Sequence, residues 1–140
     1  MTWQAGITEE RDKLYLPVEA ESTISPYRIC TFDTDTHEVR HAEAGTEFAL
    51  GVSGDGSEVG STSYADGDKL ALTYAGIVYI EMSGSGYKGN RIIATTSGKG
   101  TKHYNTEGVC VLGYVMQNFN DGDIVPVLID RYWTGDSFAT

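Results

Sequence analysis

The sequence predicts an all-β domain, and three observations support this fold class. Short runs rich in Val, Ile, Tyr and Thr recur about every ten residues and are separated by clusters of Gly, Asp and Asn. No long segment keeps the helical period of apolar residues. The 140 residues amount to a single domain that is long enough to enclose one core. We therefore expect a compact β-barrel or sandwich.

Ten segments have the composition and length of strands. They are Leu14–Ala20, Tyr27–Asp33, His37–Ala42, Phe48–Ser53, Lys69–Tyr74, Ile77–Met82, Arg91–Thr95, Lys102–Asn105, Val109–Gln117 and Ile124–Arg131. Apolar residues on both faces of Ile77–Ile80 and Val109–Val115 predict strands that are buried between two layers. Thr8–Leu14 alone resembles a helical turn, with Thr8 in the N-cap position.

The order of these segments predicts the domain organisation. Residues 1–13 are expected to form an extended N-terminal arm and residues 132–140 a C-terminal tail. Between them, residues 14–131 form a single β domain whose two halves, at about 14–74 and 77–131, are tandem pseudo-repeats.

An internal duplication is the basis for the two halves, because four motifs recur in the same order. They are Leu14–Glu19 with Val78–Ser83, Arg28-Ile29-Cys30 with Arg91-Ile92-Ile93, Leu50-Gly51-Val52 with Leu112-Gly113-Tyr114, and Asp66-Gly67-Asp68 with Asp121-Gly122-Asp123. The members of the four pairs lie 64, 63, 62 and 55 residues apart. The offset falls most after the third motif, where the first half carries the additional segment Gly54–Ser63.

The repeated glycines and aspartates have structural explanations. In Asp-Gly-Asp the glycine can adopt positive φ and the aspartate side chains can bond to the local backbone, which makes a tight turn before a strand. The glycine that follows each Leu marks a bulge or a close approach of two backbones. We assign such turn or bulge roles to Gly51, Asp66, Gly67, Asp68, Gly113, Asp121, Gly122 and Asp123.

Charge and hydropathy exclude two classes of partner. The net charge is −10, with ten basic and twenty acidic residues, so the clustered Lys and Arg that bind a phosphate backbone or an anionic membrane are missing. The longest uncharged apolar stretch, Leu70–Ile80, is much shorter than the roughly 18 residues of a membrane span. We expect neither nucleic acid nor a membrane as partner.

The candidate reactive groups favour a protein without catalysis. Asp33, Asp35 and His37 alternate along an extended segment and could bind a metal, but Asp and Thr at these positions are also typical of a hairpin loop, which we favour. No Gly-x-Ser-x-Gly nucleophile motif is present in the sequence. We predict no catalytic residue, no metal site and no cofactor.

The two cysteines each lie in an apolar run, where a free thiol behaves as a small hydrophobe. The first ten residues have neither the basic nor the apolar region of a secretion signal, which favours synthesis in a reducing cytoplasm. A disulfide between Cys30 and Cys110 is the alternative, and it requires Cα atoms within about 7 Å of each other.

The aromatic residues indicate a protein partner, because nine Tyr and two Trp exceed what a small core needs. Packing at the edge of the core is the alternative for each of them. The candidate contacts with a protein partner or between subunits are Trp3, Ile7, Leu14, Tyr132 and Trp133.

The repeated pattern resembles the small head-decoration, or capsid cement, proteins of tailed bacteriophages. The resemblance is carried by Leu50-Gly51-Val52 with Ala65–Leu72 and by Val111–Tyr114 with Asp121–Leu128, and it covers about residues 14–131. It implies a non-enzymatic protein that is made in the bacterial host cytoplasm and added to the capsid exterior. It also implies homotrimers that bind the major capsid protein, stabilise the head and extend a terminal arm across its subunits. The Gly54–Ser63 insertion and the many tyrosines depart from the family pattern.

Two other functions remain open from the residues. One is a different virion structural component, such as a tail, spike or fibre-anchoring module. The other is a free carbohydrate- or protein-binding β domain, in which an exposed aromatic such as Tyr87, Tyr104 or Trp133 would supply the binding platform.

Overall fold

A computed structural model of the chain describes residues 14–33, 37–104 and 106–135. Ten strands and two short 3₁₀ turns make up its regular structure, which confirms the predicted all-β class. The strands are β1 (Leu14–Ala20), β2 (Ile29–Phe32), β3 (Glu38–His41), β4 (Gly51–Val52), β5 (Lys69–Ala75), β6 (Ile77–Glu81), β7 (Arg91–Ala94), β8 (Gly100–Lys102), β9 (Cys110–Val115) and β10 (Ile124–Trp133). The 3₁₀ turns are Ser57–Val59 and Thr96–Gly98. The predicted helical turn at Thr8–Leu14 lies outside the described residues except for Leu14, where β1 begins.

Each half of the chain forms its own five-stranded unit. The first half closes into a barrel in the order β1-β3-β2-β4-β5, and the second half forms a sheet in the order β6-β10-β9-β7-β8. The two orders are equivalent when β1 to β5 are matched in turn with β6 to β10. In both halves the first strand pairs with the fifth, the fifth with the fourth, the fourth with the second, and the second with the third. The parallel pairing of Ala20 with Val39 that closes the barrel also has a counterpart, the parallel bridge between Met82 and Gly100. The prediction of two tandem pseudo-repeats is therefore confirmed.

The repeats agree in individual hydrogen bonds at the Asp-Gly-Asp turns. Gly67 donates its N–H to Ala20 O at 2.8 Å, and Gly122 donates to Met82 O at the same distance. Both glycines have positive φ, 88° and 87°. In each turn the last aspartate also accepts a backbone N–H at 2.8 Å, Asp68 from Ala65 and Asp123 from Asn120. The two turns are thus the same structure used twice.

The register of two predicted motif pairs was wrong. The pairings Glu19–Lys69 and Glu81–Ile124 make Glu19 equivalent to Glu81, an offset of 62 residues rather than 64. A shift of two residues keeps every side chain on its face, so the apolar alternation along a strand did not expose the error. Cys30, which pairs with Gly51, is likewise equivalent to Ile92, which pairs with Gly113.

Most strand boundaries differ from the prediction by one or two residues, and three strands differ in ways that matter for the fold. β4 is reduced to two residues, and β8 begins at Gly100 rather than at Lys102. Glycine is required at position 100 because a Cβ would lie 2.9 Å from Ile92 Cγ2. Since glycine has a low strand propensity, a strand was not predicted to begin here. β10 continues to Trp133, so that Tyr132 and Trp133 lie in a strand rather than in the predicted tail.

The buried apolar residues form two clusters. One fills the first-half barrel and includes Cys30, Val39 and Leu72. The other fills the second half and extends into the first, where it takes in residues that point out of the barrel: Ile29, Ala42, Ala49 and Val52. The second core therefore also joins the two halves.

The two cysteines are free and buried, Cys30 in the barrel cluster and Cys110 in the other. Burial raises the pKa of the Cys30 thiol to about 12, and burial also raises the pKa of Cys110.

Because the thiolate is the reactive form, we expect both thiols to resist an aromatic disulfide reagent in the folded protein at neutral pH. Both should react once the chain is unfolded in concentrated guanidinium. Rapid labelling of either thiol in the native protein would contradict this.

Candidate interaction surface

The junction between the halves is organised by Arg131 of β10. Its guanidinium is half-buried and donates Nη2–H to Leu50 O at 2.8 Å and to Tyr74 O at 3.3 Å, while Nε–H donates to Ala49 O. The same guanidinium lies 5.4 Å from the centre of the Phe48 ring. Burial lowers the pKa of Arg131 from its ordinary value, but an arginine side chain in a protein remains protonated and charged. One side chain from the second half thus satisfies three carbonyls of the first.

A smaller ionic group lies at the same junction. Glu81 Oε1 accepts from Arg28 Nη2 at 3.2 Å, and Glu81 Oε2 lies 3.3 Å from Lys99 Nζ. Arg28 Nη1–H also donates to Ser97 O at 2.9 Å. These contacts fix how the two halves sit against each other and leave Arg28, Lys99 and Glu81 engaged within the chain.

The repeated pattern of Leu followed by Gly places each glycine against a neighbouring backbone. A Cβ on Gly113 would lie 1.9 Å from Leu128 O, and a Cβ on Gly51 would lie 2.9 Å from Thr73 O. Both glycines belong to the strand that lies beside the closing strand of its half, so the absence of a side chain lets the two strands approach.

The predicted contact residues fall into two groups. Trp3 and Ile7 lie outside the described residues, and Leu14 is the first residue of β1, paired with Ala75. Tyr132 is half-buried and its hydroxyl accepts from Arg91 Nη1 at 2.9 Å. Trp133, at the end of β10, is 44% exposed. The structure therefore brings Tyr132 and Trp133 together at one end of the second sheet.

An apolar surface that the sequence analysis missed lies on the second half. We call it the outer face, and it consists of side chains from β6, β10 and the end of β9. Its most exposed members are between 38% and 51% exposed: Ile77, Tyr79, Met116, Ile124 and Leu128. The cross-strand pairs Ile77–Leu128 and Tyr79–Pro126 hold these side chains side by side.

The prediction that Ile77–Ile80 is buried between two layers is wrong, because only Val78 and Ile80 point into the core. A strand with apolar residues on both faces was interpreted as doubly buried, although one of its faces is open in this chain. In β6, buried and exposed residues alternate along the strand. Which face is covered depends on how the other strands pack, and the sequence of β6 alone does not contain this information.

The remaining candidate groups provide no assembled reactive site in the part of the chain that the structure describes. Among residues 14–33, 37–104 and 106–135, no three His, Cys, Asp or Glu side chains are placed to hold a metal ion. Within the loop that the sequence singled out, Asp35 lies outside these ranges and Asp33 Oδ1 lies 3.6 Å from Arg40 Nε. In the same ranges no helix is long and apolar enough to cross a bilayer.

Two of the three exposed aromatics proposed as a ligand platform, Tyr87 and Tyr104, lie near one cleft, and Trp133 does not line it. Tyr87 and Tyr104 are both 69% exposed, and Lys102 Nζ lies 5.2 Å from the centre of the Tyr104 ring. A cleft of about 400 Å³ is lined by Ser85, Tyr87, Lys102 and Asn118, among others. Its walls are mainly polar and it is open to solvent.

Comparison with known proteins gives a structural likeness but no match in sequence. No family model matches the sequence, and no curated protein matches it either. Among solved structures, the chain is similar to the N base of head fiber gp8.5 in bacteriophage phi29, with a TM-score of 0.65 over 84% of this chain and 94% of that chain. The two chains share one fold. Their sequences are 15% identical, so the likeness is one of architecture.

Proposed function

We propose that this chain is a non-enzymatic structural protein of a bacteriophage virion and that it decorates the outside of the head. The observation that carries the proposal is the fold shared with the N base of head fiber gp8.5, which covers nearly all of that base. The repeated Leu-Gly and Asp-Gly-Asp motifs, which resemble those of capsid cement proteins, support the same location from the sequence.

In this proposal the chain binds the major capsid protein and acts in several copies, as homotrimers. A decoration protein works by covering seams between capsid subunits, and its contacts are repeated many times over one particle. Repetition makes individually weak contacts collectively strong. The net charge of −10 keeps a densely covered particle soluble.

A second candidate function is favoured by the same comparison. The similar structure is described as the base of a head fiber, so a fibre-anchoring base is the alternative to a cement protein. The two functions differ in abundance, because cement covers the shell whereas fibres occupy fewer positions.

Quantitative mass spectrometry of purified virions tests the proposal and separates the two candidates. A copy number within a factor of a few of the major capsid protein is the expected result for a decoration protein. A few tens of copies would replace it by the fibre-base function. Absence of the chain from virions that were never exposed to chaotropic agents would refute both.

A decoration role also predicts an effect on particle stability. We expect heads that lack this chain to release their DNA at a lower temperature than complete heads, because contacts that brace the shell against internal pressure are lost. The measurement is thermal release of DNA followed by a dye, with particles re-decorated by purified protein as the control. Equal release temperatures would argue against a stabilising role.

A further inference from the structure

The duplication allows the outer face to be compared with the same surface in the other half. The strand pairs β1–β5 and β6–β10 have the same register, so each exposed position has an equivalent. Ile124 corresponds to Lys69, Leu128 to Thr73, and Tyr79 to Pro17. At these three positions the first half carries a charge, a hydroxyl and a small ring, whereas the second half carries large apolar side chains. At a fourth position both halves are apolar or aromatic, since Ile77 corresponds to Tyr15.

This comparison shows that the fold does not require apolar residues on the outer face. Lys69 and Pro17 are exposed at the same positions of the same architecture, and the inward positions are apolar in both halves. A contiguous exposed apolar patch is often functional, and the contrast between the two halves points to an interaction site here.

The composition of the face indicates a permanent partner. Its centre holds Ile, Leu, Met, Pro and Tyr, which is the composition of interfaces in homo-oligomers rather than of transient ones. A charged residue lies at one end of the face, where Glu81 pairs with Ile124, and Arg28 and Lys99 neutralise it within the chain. A chain that exposes such a face needs its partner from the time of synthesis, before any capsid is available. Another copy of the chain meets this requirement.

Charge also permits self-association at this place in spite of the net charge of −10. The margin of the face carries both signs, with the exposed Arg91 bound to Tyr132 and Asp130 close to Tyr114. Two copies can therefore place unlike charges opposite each other around an uncharged centre.

The size of the face is that of an interface core. With strands about 4.8 Å apart and about 3.3 Å per residue, three strands and five residues cover roughly 15 Å by 17 Å. This is smaller than the roughly 800 Å² that each partner buries in a standard interface. It leaves room for a polar rim, to which Tyr132 and Trp133 are adjacent.

We propose that the outer face, formed by Ile77, Tyr79, Met116, Ile124 and Leu128, is the surface through which copies of this chain associate with one another. The inference rests on the proposed assembly of several copies and assigns it to a defined surface.

The test replaces two residues of the outer face by the residues that stand at the equivalent positions of the first half. We expect the double variant Ile124→Lys with Leu128→Thr to fold, because Lys69 and Thr73 occupy the same positions in β5. Sedimentation equilibrium should give a mass of two or three times 15.2 kDa for the wild type and the mass of one chain for the variant. The milder variant Leu128→Thr should raise the concentration for half-dissociation by at least about tenfold.

The control introduces the same residue types elsewhere. Tyr87→Lys with Tyr104→Thr changes the charge by the same amount at two exposed aromatics beside the polar cleft, and it should associate like the wild type. A wild type that is monomeric at about 100 µM, far above the concentrations at which specific interfaces form, would overturn the inference. So would a double variant that associates as strongly as the wild type.

These outcomes are distinguishable from failure of the proposed function. A monomeric chain that is nevertheless abundant in virions would overturn the assignment of this face and leave the virion function in place. An oligomer that depends on the outer face but is absent from virions would support the assignment and refute the function.

Discussion

Gly113→Ala is expected to destabilise the fold by about 3 kcal/mol or more. The added Cβ would lie 1.9 Å from Leu128 O, 2.8 Å from Leu128 C and 3.0 Å from Asp130 N. All three atoms are backbone of β10, the strand that β9 pairs with at Ile129, so no side chain can turn aside. The strands must separate locally, and the ladder between β9 and β10 is lost at that point. Urea denaturation at a fixed protein concentration measures the change.

Two other glycines serve as controls for this substitution. Gly122→Ala imposes positive φ on a residue with a Cβ but meets no atom within 4 Å, so it should cost about 1–2 kcal/mol. Gly51→Ala, whose Cβ would lie 2.9 Å from Thr73 O, should fall between the two. If Gly113→Ala were no more destabilising than Gly122→Ala, the close approach of β9 and β10 would not be what requires glycine there.

Arg131→Met is expected to destabilise the protein by about 2–4 kcal/mol, because it removes the donor that Arg131 supplies to the carbonyls of Ala49, Leu50 and Tyr74. Methionine keeps most of the side-chain length and the contact with Phe48, so the loss reports mainly on the hydrogen bonds and the charge. Since the donor belongs to the second half and the acceptors to the first, we expect the two halves to lose cooperativity as well. A smaller denaturant slope or a separated second transition would show this.

Lys88→Met is the matched control for Arg131→Met. It removes one positive charge from an exposed position and should change the free energy of unfolding by less than about 0.5 kcal/mol. Similar effects of the two substitutions would mean that Arg131 acts only through the net charge of the chain, and they would contradict its role at the junction.

The sequence could predict the strands and the repetition because both depend on local patterns. The Asp-Gly-Asp turns were recognised since glycine at positive φ and aspartate bonded to the backbone are properties of a few adjacent residues. The Leu-Gly and Asp-Gly-Asp pairs were also placed at the correct offset. In contrast, the offsets at Leu14–Glu19 and at Arg28 were wrong because apolar alternation and a shared Arg are satisfied by more than one register.

Arg131 shows why the junction could not be predicted. Nothing near it in the sequence distinguishes it from the exposed Arg91, and its acceptors lie more than fifty residues away along the chain. A long-range hydrogen bond to a carbonyl carries no residue signature, since every residue has a carbonyl.

The amino-acid sequence by itself determined that this protein is an acidic all-β chain built from two copies of one unit, and its resemblance to capsid cement proteins is one basis of the function that we propose. Only the tertiary structure decided which apolar residues face water. Ile77 and Val78 are neighbours of similar hydrophobic character, yet pairing with β10 exposes the first and buries the second. The reason is that a strand presents alternate residues to opposite faces, and whether both faces are covered depends on how the whole chain packs. The outer face is therefore a property of the assembled sheet rather than of any segment.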